Sequence, residues 1–185
     1  MQQIYLVHGY TASVNSHWFP WLEAQFVDNC HVQFKRIAMP DPNEPKVESW
    51  LTTLNQHLQI DHSTILIGHS LGCISLLRFL AQLGQPIHGV LLVAGFAESI
   101  ATLAELDPFS QLQLPYQQLQ EQIKHRVMLY SDNDPVVPAQ YSRRLAEQLM
   151  MQTYQMSGYG HFLAKEGVSE LPLAAQIIHK MLMTS

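Results

Sequence analysis

The sequence predicts an α/β fold built on a mainly parallel sheet with helices on both faces. Short apolar runs rich in β-branched residues alternate along the chain with longer segments of helical period. This alternation is typical of strands joined by crossover helices, and unbroken apolar runs are typical of strands buried on both faces. The chain has 185 residues, the usual length of one domain, so we expect a single domain over residues 1–185.

Six strands and six helices are predicted, and they alternate from the first strand onwards. The strands are expected at Ile4–His8, Val32–Ile37, Ile65–Gly68, Gly89–Ala94, Val127–Tyr130 and Thr153–Met156. The helices are expected at Trp18–Val27, Val47–Leu58, Leu71–Leu83, Pro115–Lys124, Pro138–Met150 and Leu171–Leu182. A proline such as Pro138 suits the first turn of a helix.

One connection, from Gly95 to Arg126, is much longer than the others. Lids over functional sites usually come from long connections of this kind. We therefore expect any lid to come from this segment. The chain leaves no room for a large separate cap domain.

Composition and charge exclude several classes of protein. The 47% of hydrophobic residues and 14% of charged residues are those of a globular protein rather than a disordered chain or a coiled coil. The net charge is −5 and the 10 lysines and arginines are scattered, so we expect neither a nucleic-acid partner nor an anionic membrane surface. Since residues 2–7 already have the pattern of a strand, we expect no signal peptide and a cytoplasmic location.

The cysteines and histidines indicate no bound metal or other cofactor. Cys30 and Cys73 are too few for a disulfide scaffold, and Cys73 is expected to be a small buried apolar residue. The 10 histidines include no pair at the spacing of a common metal motif. We therefore expect no metal site and no organic cofactor.

The segment Gly68-His69-Ser70-Leu71-Gly72 is the most specific motif of the chain. It follows an apolar strand and opens an apolar helix, which is the setting of a nucleophile elbow. Small residues two positions before and after the serine allow the sharp, strained turn that such an elbow needs. The motif predicts that Ser70 is a nucleophile, with an ordinary turn before a helix as the alternative. A structural role is expected for His69.

A serine hydroxyl needs a base to take its proton and an acid to orient that base. Loops after two later strands supply both, in the order Ser, Asp, His, at the edge of the sheet where α/β proteins place functional groups. Asp134 is favoured as the acid over Asp132, because an aspartate in such a loop often only stabilises its own turn. His161 is the predicted base.

The oxyanion of the reaction would be stabilised by two backbone N–H groups. One normally belongs to the residue after the nucleophile, here Leu71, and the other to the loop after the first strand, where Tyr10 is the candidate. A plain strand end is the alternative for that loop. Four side chains are predicted to line the substrate pocket: Phe96, Val136, Phe162 and Trp18. Core packing is the favoured alternative for the aromatic cluster that contains Trp18.

These motifs resemble the small, lidless α/β-hydrolases of the YdeN-like group, which is related to the retinoblastoma-binding-protein-9 serine hydrolases. The resemblance runs through His8-Gly9-Tyr10, Asn15–Trp21, Met39-Pro40, Gly68–Cys73, Arg78-Phe79-Leu80, Val93–Phe96, Asp134–Pro138 and Gly160-His161-Phe162. It implies that Ser70 is the nucleophile, Asp134 the acid and His161 the base. It also implies a minimal α/β-hydrolase fold with strand order 2-1-3-4-5-6 and no cap domain.

The residues and the resemblance together predict a serine hydrolase that cleaves small-molecule carboxylic esters. Thioesters and amides are further candidates for the scissile bond, and the expected acyl groups are small or medium in size. The reaction would pass through an acyl-enzyme on Ser70. Two other functions remain open: a non-catalytic protein-binding member of the fold, and an acyltransferase.

Overall fold

Six parallel strands form the centre of the protein, which is described over residues 1–184 by a computed structural model. The strands are β1 (Gln2–Val7), β2 (Val32–Ile37), β3 (Ile65–His69), β4 (Ile87–Val93), β5 (Ile123–Ser131) and β6 (Gln152–Met156). Their order in the sheet is β2-β1-β3-β4-β5-β6, and every neighbouring pair is parallel. The predicted fold class and strand order are confirmed.

Helices cover both faces of the sheet. They are α1 (Phe19–Ala24), α2 (Val47–His57), α3 (Leu71–Leu83), α4 (Asp107–Ser110), α5 (Tyr116–Gln122), α6 (Ala139–Gln148) and α7 (Pro172–Leu182), with 3-10 helices at Ala101–Leu106 and Ala164–Glu166. Helices α1 and α7 pack on one face, and α2 to α6 pack on the other. Over residues 1–184, no helix has the length and apolar character needed to cross a bilayer.

The central strands β1, β3 and β4 are buried on both sides over most of their length, which explains their largely apolar sequences. In β1, Tyr5 and Val7 point into the layer of α2 and α3, whereas Ile4 and Leu6 point into the layer of α1 and α7. Successive side chains of a strand face opposite sides of the sheet. A strand between two helical layers is therefore largely apolar on both faces.

The boundary between α5 and β5 differs from the prediction. The helix was expected to reach Lys124, but it ends at Gln122 and β5 begins at Ile123. Ile123 pairs with Ile87 of β4. This pairing with a distant strand overrides the local helical preference, a constraint that periodicity alone does not reveal.

The long connection between β4 and β5 contains two short elements that the sequence did not predict, the 3-10 helix Ala101–Leu106 and α4. It contains no cap domain. The buried side chain of Arg78 in α3 fastens it, because Nη1 donates hydrogen bonds to the carbonyl oxygens of Pro108 (3.1 Å) and Phe109 (2.5 Å). The connection is thus held against α3, next to the carboxyl ends of the strands.

Candidate active site

Ser70 lies in a sharp turn between β3 and α3. Its backbone angles are φ 54° and ψ −120°, a conformation that costs a non-glycine residue about 1–3 kcal/mol. Two backbone hydrogen bonds hold it there: the N–H of Ser70 donates to the Val93 oxygen (2.9 Å), and its own oxygen accepts from the Cys73 N–H (3.0 Å). The serine therefore has the strained geometry of a nucleophile elbow.

The two glycines of the motif are required by close backbone contacts. A Cβ atom on Gly68 would lie 2.8 Å from the Cα of Cys73, and one on Gly72 would lie 2.3 Å from the carbonyl oxygen of Val7. Both distances are shorter than any that real Cβ atoms adopt. The spacing of the glycines around Ser70 thus follows from the tight packing of the turn against β1 and α3.

Cys73 is buried beneath this turn and takes no part in it as a nucleophile. Its thiol donates weakly to the oxygen of Val93 (3.5 Å). Burial raises the pKa of the Cys73 thiol far above its usual range, so the reactive thiolate is suppressed. Cys30, in contrast, is exposed.

The loop after β1 packs directly against the turn. A Cβ atom on Gly9 would lie 2.9 Å from the Cβ of Ser70. His8 fixes the loop because its Nδ1–H donates to the Gly9 oxygen (2.9 Å) and its Nε2 accepts the Met39 N–H (3.1 Å). Burial lowers the pKa of His8, which keeps its ring in the neutral form that these two bonds need.

Two backbone N–H groups near Ser70, those of Leu71 and Tyr10, have no acceptor among the described residues. Leu71 is the first residue of α3, so its N–H has no partner within the helix and shares the positive end of the helix dipole. Over the described residues, the N–H of Tyr10 likewise donates to no protein acceptor. These are the two groups that the sequence proposed for the oxyanion hole.

His161 and Asp134 form a buried hydrogen-bonded pair at the carboxyl edge of the sheet. The imidazole Nδ1–H donates to Oδ2 of Asp134 at 2.7 Å. The other carboxylate oxygen accepts the N–H groups of Val136 (2.8 Å) and Val137 (2.9 Å). With its proton on Nδ1, the imidazole presents an unprotonated Nε2, which is the atom that a general base uses.

Asp132, the alternative acid, faces solvent and stabilises the neighbouring loop. Its carboxylate accepts hydrogen bonds from the Ser157 hydroxyl and the Gly158 N–H. The hydrogen bond from Ser157 is the main reason why the pKa of Asp132 lies below its usual value. The carboxylate that contacts the imidazole is therefore that of Asp134.

Ser70 and His161 line one cavity of about 260 Å³. Its remaining lining is polar at Tyr10, Thr11, His17, His69 and Lys165, and apolar at Leu103, Leu106, Val136 and Leu163. The two leucines belong to the 3-10 helix of the long connection, the segment from which a lid was expected. The structure thus brings the predicted nucleophile and base to the wall of a single pocket.

Three of the four side chains predicted to line this pocket lie elsewhere. Phe96 is buried in the core layer of α2 and α3, and Phe162 and Trp18 are buried in the layer of α1 and α7. Each is at most 1% exposed, because these large rings fill the two layers beneath the edge of the sheet. Val136 does line the pocket.

His17 lines the pocket, although core packing was the favoured prediction for the aromatic cluster that begins with this residue. Its Nδ1 accepts the N–H of Ala164 (3.1 Å). Burial, and then the nearby His161, lower the pKa of His17 to about 4. His17 is therefore a neutral hydrogen-bond acceptor near neutral pH.

Comparison with known proteins identifies the family. Residues 4–180 match the sequence pattern of the serine hydrolase family. The chain belongs to the serine hydrolase family. The match includes Ser70, Asp134 and His161 within its bounds.

In this serine hydrolase, no group of three or more His, Cys, Asp or Glu residues over the described part of the chain is arranged to hold a metal ion.

The relatives of this serine hydrolase agree with the YdeN-like resemblance. It is 41% identical over 180 residues to YdeN of Bacillus subtilis (strain 168), covering 96% of this chain and 94% of YdeN. The crystal structure of the ydeN gene product matches with a TM-score of 0.95 at 39% identity, covering 99% of this chain and 100% of that chain. Serine hydrolase RBBP9 of Rattus norvegicus is 25% identical over 146 residues, covering 78% of this chain and 77% of RBBP9.

A carboxylesterase structure from Nitrososphaera gargenis is also similar, with a TM-score of 0.71 at 12% identity. The match covers 99% of this chain and 90% of that chain. At this identity the likeness shows the α/β-hydrolase fold alone.

Proposed function

We propose that this serine hydrolase cleaves carboxylic esters of small or medium acyl groups through an acyl-enzyme. Ser70 is the nucleophile, His161 the general base and Asp134 the acid that orients it. One observation carries the proposal: the 2.7 Å hydrogen bond from His161 to Asp134 lies beside the cavity that His161 shares with the strained Ser70.

The first half of the proposed reaction forms the acyl-enzyme. Nε2 of His161 takes the hydroxyl proton as the Ser70 Oγ bonds to the substrate carbonyl carbon. The carbonyl electron pair moves to oxygen, where the N–H groups of Tyr10 and Leu71 stabilise the negative charge. Asp134 keeps its bond to Nδ1 and stabilises the imidazolium without taking the proton itself. The imidazolium then protonates the leaving alcohol as its bond to carbon breaks.

The second half repeats these steps with water. The base removes a proton from water as the water oxygen bonds to the acyl carbon, and the new oxyanion occupies the same N–H groups. Collapse of this intermediate returns the proton to Ser70 Oγ and releases the carboxylic acid. One ester and one water become one alcohol and one acid, so the cycle balances without an oxidant or a reductant.

The pocket supports an acyl group of limited length. Its volume is about 260 Å³, and its apolar lining comes from Leu103, Leu106, Val136 and Leu163. Burial of apolar surface stabilises a bound acyl chain by about 0.8 kcal/mol per CH₂ group, until the chain outgrows the cavity. Membership of the serine hydrolase family and the fold likeness to a carboxylesterase also support ester cleavage.

Covalent labelling tests the proposal directly. A fluorophosphonate should add to the wild-type protein, and peptide mapping should locate the adduct on Ser70. Ser70→Ala should fold normally but show no adduct, and its turnover of p-nitrophenyl butyrate should fall below about a thousandth of the wild-type rate. A folded wild-type protein without an adduct would instead support a non-catalytic binding function.

Competition between water and alcohols separates hydrolysis from acyl transfer. During turnover of the p-nitrophenyl ester, added methanol or butanol should divert only a minor fraction of the acyl groups into new esters. The products are measured by chromatography. A predominance of the new ester in dilute alcohol would contradict hydrolysis and favour an acyltransferase.

A further inference from the structure

The backbone on both sides of His161 is left-handed, and this conformation is unfavourable for Phe162. Gly160 on one side has φ 53° and Phe162 on the other has φ 58°. The left-handed region costs a residue such as phenylalanine about 1–2 kcal/mol. His161 also lies in a loop beyond β6, so no sheet pairing holds its peptide groups. Other contacts must keep this conformation in place.

Glu166 holds the N–H side of His161. Its Oε2 accepts the N–H of His161 at 2.8 Å and the N–H of Leu163 at 3.1 Å. The 3-10 helix Ala164–Glu166 turns the chain back so that this carboxylate reaches the loop. Gly160 provides the space, because a Cβ atom there would lie 2.6 Å from the Glu166 carboxyl carbon.

His69 holds the carbonyl side of His161. Its Nε2–H donates to the His161 oxygen at 2.9 Å. The His69 ring is only 2% exposed, and burial lowers its pKa well below the usual value. The ring is therefore neutral, with its single proton on the nitrogen that makes this bond. Both backbone polar groups of His161 are thus bound by side chains.

We infer that Glu166 is a positioning residue for His161, and that it acts with His69 to fix the residue whose ring Asp134 orients. This inference rests on the proposed function, since it matters for catalysis only if His161 is the base. Glu166 does not line the cavity and acts through the backbone of His161. Three separate parts of His161 are then fixed: its ring, its N–H and its carbonyl group.

Loss of the Glu166 side chain should allow the left-handed backbone at Phe162 to relax. Without the carboxylate, the N–H groups of His161 and Leu163 lose their acceptor and the loop can relax. The imidazole would then shift within the cavity that it shares with Ser70. A displacement of about 1 Å at a catalytic group costs about 100-fold in rate.

Three variants of Glu166 and one control test this role. Glu166→Ala removes the acceptor, and kcat for p-nitrophenyl butyrate should fall about 10- to 100-fold with little change in KM. Glu166→Gln keeps an oxygen that can accept both N–H groups, so it should recover most of the lost rate. Glu166→Asp places the carboxylate too far from these N–H groups, so its kcat should also fall. This variant provides the test if Glu166→Ala does not fold. Glu170→Ala, at an exposed glutamate four positions on, should match wild type.

Proton NMR gives a second measurement that needs no turnover. The Nδ1–H of His161 in its bond to Asp134 should give a low-field resonance, identified by its loss in His161→Gln. The resonance should persist in Glu166→Gln and broaden or shift in Glu166→Ala. If wild type forms no Ser70 adduct, the proposed function fails, while this resonance still tests whether Glu166 fixes His161.

Two results would overturn the inference. One is a folded Glu166→Ala protein with wild-type kcat and an unchanged low-field resonance. The other is a Glu166→Gln protein as impaired in kcat as Glu166→Ala, because the charge and not the hydrogen bond to the loop would then be responsible.

Discussion

Gly72, in the first turn of α3, approaches the end of β1 so closely that a methyl group on it would lie 2.3 Å from the carbonyl oxygen of Val7. The second-nearest atom would be the carbonyl oxygen of His8, at 2.8 Å. The start of α3 and the loop that carries Tyr10 are therefore in direct backbone contact. Neither backbone segment can move aside without changing the geometry around Ser70.

Gly72→Ala should lower both stability and activity. Replacing a helical glycine with alanine normally stabilises a protein by about 0.5–1 kcal/mol. Here the added methyl group has no space, so the free energy of unfolding should fall by about 1–3 kcal/mol. Thermal unfolding and the rate of fluorophosphonate labelling measure the two effects. Gln82→Ala, at an exposed position of the same helix, is the control, and a Gly72→Ala protein as stable as wild type would refute the packing argument.

Asp134→Asn should abolish most of the activity while leaving the fold intact. An amide cannot enforce the same imidazole tautomer or stabilise the imidazolium, so kcat should fall by about 10³- to 10⁴-fold. Asp132→Asn is the matched control, because Asp132 is exposed and its amide replacement can still accept the Gly158 N–H. Steady-state kinetics of both variants decide which carboxylate acts. The assignment fails if the Asp132 variant is the more impaired.

The free energy of unfolding should decrease as the pH falls from 6.5 towards 4. The upper value is the usual pKa of a histidine, and the lower value is the pKa of His17 in the native protein. In the unfolded chain, His17 binds a proton as the pH falls through about 6.5. In the native protein, it binds this proton only near pH 4. Protonation therefore favours the unfolded state across this window, and His69, whose pKa is also lowered by burial, adds to the effect. Thermal unfolding should show a shallower pH dependence in His17→Gln than in wild type, and parallel curves would contradict the prediction.

Leu103→Trp should shorten the acyl chains that the protein accepts. The larger side chain would fill part of the cavity, so kcat/KM should fall more for p-nitrophenyl hexanoate than for the acetate. The ratio of the two values, compared with wild type, measures the effect. Leu112→Trp is the control, since Leu112 belongs to the same connection but is 68% exposed. An equal loss on both esters would argue against Leu103 as part of the acyl wall.

The sequence predicted those parts of the site that depend on local geometry. The elbow at Ser70 is defined by glycines two residues away. Asp134 follows the apolar run of β5, and His161 follows the short alternating run of β6. In a parallel sheet, the carboxyl ends of the strands meet at one edge. Strand order then brings together side chains that are far apart in the chain.

The pocket wall and Glu166 could not be predicted in this way. Whether Phe162 faces the cavity or the core depends on a left-handed backbone angle, which the identity of the residue does not indicate. Glu166 acts because a single 3-10 turn returns its carboxylate to the His161 peptide. Both features arise from how the loop closes on itself, and no spacing rule in the sequence describes that closure.

Because only one of the two cysteines is exposed, the native protein can be labelled selectively at a thiol. Cys73 is buried beneath the elbow, whereas Cys30 is exposed to solvent. Cys30 precedes β2 and therefore lies at the amino edge of the sheet. A maleimide dye or a surface-coupling reagent should therefore attach to the native protein at one thiol, on the side remote from the pocket. Immobilised or fluorescent enzyme could be prepared in this way without any engineered residue.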